Sequence, residues 1–196
     1  MERFLRLIND PSPGFICRVA GRAELKPAPA TIRVSNKLQN AATPESLLQL
    51  PSLRAESVGA FYTLHDGVGL FIAPFSFGQT IPAFVLYPIS AMLPKTAQMR
   101  IATGMAEDEM YDFQKNGVAI GEICGSRNYF VMYKGVVYHS NHDGGDDTPF
   151  ARSFDDFLDK IAIDPAEFLF EAGCYTRYSD GTTAHQWIPE TYLPLS

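Results

Sequence analysis

The chain has 196 residues, enough for one well-buried core and short for two full domains, with 46% hydrophobic and 19% charged residues and no low-complexity tract. Its formal charge of −6 is unevenly placed: residues 1–60 carry eight Lys/Arg against five Asp/Glu, and residues 61–196 carry eight against seventeen. That balance disfavours nucleic-acid binding through a basic face and would attract a basic partner, while the three scattered cysteines, Cys17, Cys124 and Cys174, argue against a disulfide framework or a zinc ribbon.

The N-terminus, MERFLRLINDP, is interrupted by Glu2, Arg3 and Arg6 and has no long apolar run, so no secretory signal is expected. Residues 1–42 read as an extension packed on the domain. Within it Phe15–Val19 and Thr31–Val34 have strand character, and Lys26-Pro27-Ala28-Pro29 reads as a turn or extended linker. The spacing then predicts a core over residues 43–173. Thr43-Pro44-Glu45 supplies an N-cap, a first-position proline and a first-turn acid for a short helix through Leu47 and Leu48, ended by Pro51. Ser52 can cap a second helix that buries Leu53, Val58, Phe61 and Leu64 or nearby positions and stops at Gly67. Val68–Ala73 and Ala83–Tyr87 read as strands. The apolar window Ile81–Leu93, broken by Pro82 and Pro88, is too short to span a bilayer. A soluble cytoplasmic protein without membrane contact is expected. Met92–Phe113 mixes loop and helix signals around the acids Glu107, Asp108, Glu109 and Asp112.

The stretch Gly117–Ile161 is the most explicit. It reads as strand, hairpin, acidic loop and helix. Arg127–Tyr133 and Val136–Ser140 are rich in β-branched and aromatic residues and are separated only by Lys134-Gly135, so Tyr133 should face Val136. Tyr129, Val131, Tyr133, Val136 and Tyr138 then share one face, and Phe130, Met132, Val137 and His139 the other. Neither face is polar, which predicts a hairpin inside a sheet covered on both sides. Ser153 is a good N-cap for a helix with Asp155 and Asp156 in its first turn and a buried stripe of Phe154, Phe157, Leu158 and Ile161. Asp164, Pro165 and Glu167 open a last helix that buries Phe168 and Leu169 and ends at Gly173. Residues 174–196 form a C-terminal hairpin and tail of the same domain, Tyr175–Tyr178 and Thr182–Ile188 flanking an Asp180-Gly181 turn.

The loop His139–Asp147 gathers His139, His142, Asp143, Asp146 and Asp147, so a metal site has to be weighed. An EF-hand starting at Asn141 would need an oxygen ligand at Gly145, a glycine at Asp146 and a glutamate at Arg152. Zinc would need ligands from His65, His185 or a cysteine, and no spacing recommends them. A solvated, glycine-bent loop is the simpler reading. His139, on an apolar hairpin face, reads as a packed histidine. Gly67-Val68-Gly69 lacks the third glycine of a dinucleotide loop, and neither a Walker lysine nor a nucleophile elbow is present. No catalytic residue, metal or cofactor is expected.

Four segments in order resemble the SUKH superfamily over about Thr43–Ile163: the helix ending in His65-Asp66-Gly67, Gly121 with Gly125, the Gly135-Val136-Val137-Tyr138 turn, and Ala151-Arg152-Ser153-Phe154-Asp155-Asp156-Phe157-Leu158. Gly125-Ser126-Arg127 departs from the family, which has an acidic residue after the paired glycines. The proline-rich approach to the first helix is matched only by Leu50-Pro51. The resemblance implies an α+β fold, with a mixed or mostly antiparallel central sheet flanked by helices, and no catalytic residues. Bacterial members of the family are immunity proteins that bind and neutralise a toxin, often a nuclease; fungal members regulate cell-wall synthesis. The expectation is a non-enzymatic protein-binding module. Its candidate contact residues for a basic toxin domain are Asp143, Asp146, Asp147, Glu107, Asp108 and Glu109. Two alternatives stand beside it: a small metal-dependent hydrolase using the His139–Asp147 loop, and a regulatory or scaffolding domain for a host protein.

Overall fold

The computed structural model describes residues 1–9, 16–21, 26–33, 35–49, 56–74, 80–141, 147–172 and 185–189. In chain order the elements are α1 (Glu2–Asn9), β1 (Ile16–Gly21), β2 (Lys26–Arg33), β3 (Ser35–Leu38), α2 (Pro44–Leu47), α3 (Glu56–Tyr62), β4 (Val68–Pro74), β5 (Thr80–Ile81) and β6 (Phe84–Leu86). These are followed by α4 (Ile89–Ala102), α5 (Asp112–Asn116), β7 (Val118–Ile123), β8 (Asn128–Tyr133), β9 (Val136–Ser140), β10 (Pro149–Ala151), α6 (Phe154–Ile163), α7 (Pro165–Glu171) and β11 (His185–Pro189). The fold is α+β. Seven strands in the order β10-β9-β8-β7-β6-β4-β3 form an antiparallel sheet, with β5 paired to β4. A smaller antiparallel sheet has the order β11-β1-β2.

The β8–β9 hairpin has the predicted register, Tyr133 opposite Val136 through Tyr129 opposite Ser140. Lys134 and Gly135 both have positive φ, +50° and +82°, the mirror-image turn whose twist matches the strands. Both faces are covered. Phe130 meets Phe157 of α6 and Phe168 of α7 at ring-centroid distances of 4.9 and 5.6 Å, and Phe84 joins them at 5.6 Å from Phe130. On the other face Tyr138 stacks on Phe113 of α5 at 4.6 Å and 6°. Helix α1 extends the first layer, Phe4 against Phe61 of α3 and Phe61 against Phe154 of α6.

The caps form as predicted: the side chains of Thr43, Ser153 and Asp164 accept from the backbone N–H groups of Ser46, Asp156 and Glu167. Phe154, Phe157, Leu158 and Ile161 are fully buried, and Phe168 and Leu169 nearly so. Three expectations are corrected. Leu64 is 49% exposed, because α3 ends at Tyr62 and the chain turns before Leu64; Tyr62 is buried instead and donates from its hydroxyl to the Tyr87 carbonyl. Gly67 is not the stop of α3. It stands just before β4 at φ +96°, where a Cβ would lie 2.7 Å from the Leu86 carbonyl oxygen and from the Pro88 nitrogen. The Lys26–Pro29 segment belongs to β2, which tolerates two prolines because it is the edge strand of its sheet. The mixed signals over Met92–Phe113 resolve into α4, which runs through Pro94, then a turn at 107–109 and the start of α5. The predicted cap at Ser52, Leu53, the stop at Gly173 and the Asp180-Gly181 turn lie outside the described residues. His185–Ile188, at the end of the strand predicted over Thr182–Ile188, falls in β11, which pairs with β1.

Helix α4 is tied to the sheet by polar anchors. The Thr96 hydroxyl accepts from the Ala119 N–H at 2.9 Å, next to the irregularity where β7 slips against β8, and so satisfies a buried donor there. Lys95 Nζ pairs with Glu122 on β7 at 2.7 Å, and the Asp66 carboxylate accepts from the Ile89 N–H at 2.8 Å. The N-cap position of α4 is Pro88, which has no side chain to do this; Asp66 caps the helix from across the fold.

Candidate functional site

A helix of five residues has no stability of its own, so α5 is held by tertiary ties. Phe113 lies between the rings of Tyr111 and Tyr138, and Arg100 Nε donates to the Gln114 carbonyl at 3.0 Å. The buried Gln114 side chain completes the junction: its Oε1 accepts from the Tyr111 N–H and its Nε2 donates to Ser140 Oγ, both at 3.1 Å. Two acidic segments leave from the residues that Gln114 joins. Glu107–Glu109 form the turn that runs into Tyr111, and Ser140 opens the segment 141–147. The two acidic segments are separate in the sequence, and a hydrogen bond between residues 26 apart brings their roots together.

Glu107, Asp108, Glu109 and Asp147 are exposed. Glu107–Glu109 form a turn rather than the face of a helix, with the Glu109 carboxylate accepting from the Ala106 N–H at 3.1 Å and Lys115 Nζ donating to the Asp108 backbone carbonyl at 3.4 Å. Asp143 and Asp146, together with His142, lie outside the described residues. Some other acids have cationic partners: Asp155 and Asp159 share the amino terminus, Asp156 pairs with Arg152, Glu122 with Lys95 and Glu171 with Lys160. Among the described residues, no lysine or arginine forms an ion pair with Glu107, Asp108, Glu109 or Asp147.

His139 stacks on Phe130 at 5.1 Å and 19° and meets the edge of Phe150 at 5.8 Å, which places its ring in the aromatic layer. Among the described residues no group of three His, Cys, Asp or Glu could hold a metal ion. None of their helices is long and apolar enough to cross a membrane.

A polar cluster that the sequence did not signal surrounds the Lys95–Glu122 pair. Lys95 Nζ lies 5.3 Å from the centre of the Tyr87 ring. Burial, reinforced by Glu122 and opposed by Lys95, pushes the Cys124 thiol up to about 12, so it stays protonated and is no nucleophile at neutral pH. Burial and then Glu122 likewise raise the phenols of Tyr87 and Tyr129. The cluster fastens helix to sheet. A scan against protein-family models and a search of curated proteins returned no match for the chain.

Proposed function

We propose that the chain is a non-enzymatic protein-binding module of SUKH type, an immunity protein that captures and neutralises a basic toxin domain through Glu107, Asp108, Glu109 and the Asp143, Asp146 and Asp147 loop. The observation that carries the reading is that Glu107, Asp108, Glu109 and Asp147 are exposed, have no ion-pair partner among the described residues, and leave from segments joined at the Gln114–Ser140 hydrogen bond. Exposed carboxylates that lie close together without cationic partners repel one another, and a cationic partner would relieve that repulsion on docking. Such a surface chiefly accelerates encounter.

The test is capture from an extract of the native cell on the immobilised chain, followed by association kinetics with the purified partner. Replacing Glu107, Asp108 and Glu109 together by lysine should lower the association rate on the order of tenfold at low salt and flatten its salt dependence, with little change in dissociation. An unchanged rate removes this surface. Capture of a host regulatory protein instead of a toxin domain would favour the regulatory reading, and turnover of a substrate would refute the non-enzymatic one.

A further inference from the structure

Helix α4 has an inner face and an outer face that are both largely apolar. The inner one buries Met92, Thr96 and Met99 and carries the anchors Lys95 and Arg100. The outer one presents Ser90, Leu93, Pro94, Ala97, Gln98 and Ile101, all exposed and none charged. Leu93 is 70% and Ile101 81% exposed. A helix on the surface of a monomer normally turns charged residues to water, and one that is apolar all round is buried. Two further exposed apolar residues lie near it in the fold, Met105 just beyond its C-terminus and Leu48 directly after α2, which packs against α4.

We propose that this face is covered by a second copy of the chain, the two α4 helices crossing antiparallel about a twofold axis at Ala97. Leu93, Ala97 and Ile101 are spaced by four residues and form one ridge. Inverting that ridge about its centre sets Leu93 of each copy against Ile101 of the other, and the small Ala97 lets the backbones approach. The patch is therefore complementary to itself, as a twofold interface requires. Charge favours the same arrangement. Glu107–Glu109 follow the C-terminal end of α4 in the chain, so parallel pairing would set the two acidic turns side by side, whereas antiparallel pairing keeps them at opposite ends. The size is also adequate: the exposed parts of Leu48, Leu93, Ile101 and Met105 are on the order of 500 Å² per copy, about 1,000 Å² for the pair, the lower bound for a specific interface.

Sedimentation velocity of the full chain from roughly 1 to 500 µM tests this. The wild type should pass from 21.7 kDa towards twice that mass. Ala97→Glu and Ile101→Glu should weaken association at least tenfold, while Ile163→Glu, at an apolar position on α6 that is 63% exposed, should leave it unchanged. Ala97→Cys should form a disulfide-linked dimer on mild oxidation, a readout that does not depend on a disruptive variant. A wild-type chain that stays monomeric throughout the range overturns the proposal. So does a dimer that Ala97→Glu and Ile101→Glu leave intact, or failure of Ala97→Cys to cross-link.

Discussion

Replacing Gly67 by alanine tests whether the turn into β4 is set by backbone conformation or by close approach. At φ +96° an L-residue costs about 1–2 kcal/mol. The added Cβ would also lie 2.7 Å from the Leu86 carbonyl oxygen and the Pro88 nitrogen and 2.9 Å from the Tyr87 carbonyl carbon, all backbone atoms that no rotamer change can move aside. The junction from β6 to α4 would have to shift. With it would go the Tyr62–Tyr87 and Asp66–Ile89 hydrogen bonds, each worth about 1 kcal/mol, or more where a carboxylate accepts. The total is roughly 3–5 kcal/mol, which in a chain of this size lowers the melting temperature by about 10 °C or more. Two reference variants separate the terms. Gly135→Ala has positive φ but open space, so it should lose only about 1–2 kcal/mol. Gly121→Ala has no positive φ, but its Cβ would lie 2.6 Å from the Val85 carbonyl oxygen. Urea denaturation followed by circular dichroism gives all three. Equal losses for Gly67→Ala and Gly135→Ala would show that the close contact contributes nothing and that backbone conformation alone sets the turn.

The cap on α4 predicts that Asp66→Ala costs about 1–2 kcal/mol while Asp66→Asn, which keeps an acceptor oxygen, costs a few tenths; equal losses in chemical denaturation would argue against a capping role. Stability should also fall in alkali. Burial raises Cys124 from 9.0 to about 12, and Tyr62, Tyr87 and Tyr129 above 10.0, so the unfolded chain releases these protons first. Their contribution is complete below about pH 9 and is lost as pH climbs towards the folded values, at up to ~1.4 kcal/mol per pH unit for each group. Cys124→Ala should flatten the first part of that decline; a wild-type stability that is level from pH 8 to 11 would contradict it.

The β8–β9 hairpin and the cap of α6 were legible in the sequence because their signals are local. A two-residue turn sets the register, and Ser153 stands immediately before an apolar helical stripe. Helix α4 was not legible for the opposite reason: apolar residues on both faces leave no helical period to detect, and Pro88 read as a break in the apolar window where the helix begins. Residues 149–151 are too short to show a strand pattern, and β10 is defined by its partner β9. The pairing of Arg18 with Ile188, the Lys95–Glu122 bridge and the Gln114–Ser140 bond join distant parts of the chain, and no periodicity encodes them. For the candidate site, the acidic residues were visible as composition, whereas the rivet that gathers their roots was visible only once the chain was folded.

The main sheet ends in strands of three and four residues, β10 and β3, and each slips against its neighbour. Pro149 removes a donor from one border, and Lys37 sits on the other. Short, kinked borders of this kind resist templating another chain's strand, which protects a sheet from amyloid-like stacking. They also constrain recognition. A partner arriving at either border of this sheet would find little unpaired backbone to zip onto, so selectivity there would rest on side chains, and a single exchanged residue could rewire the choice of partner.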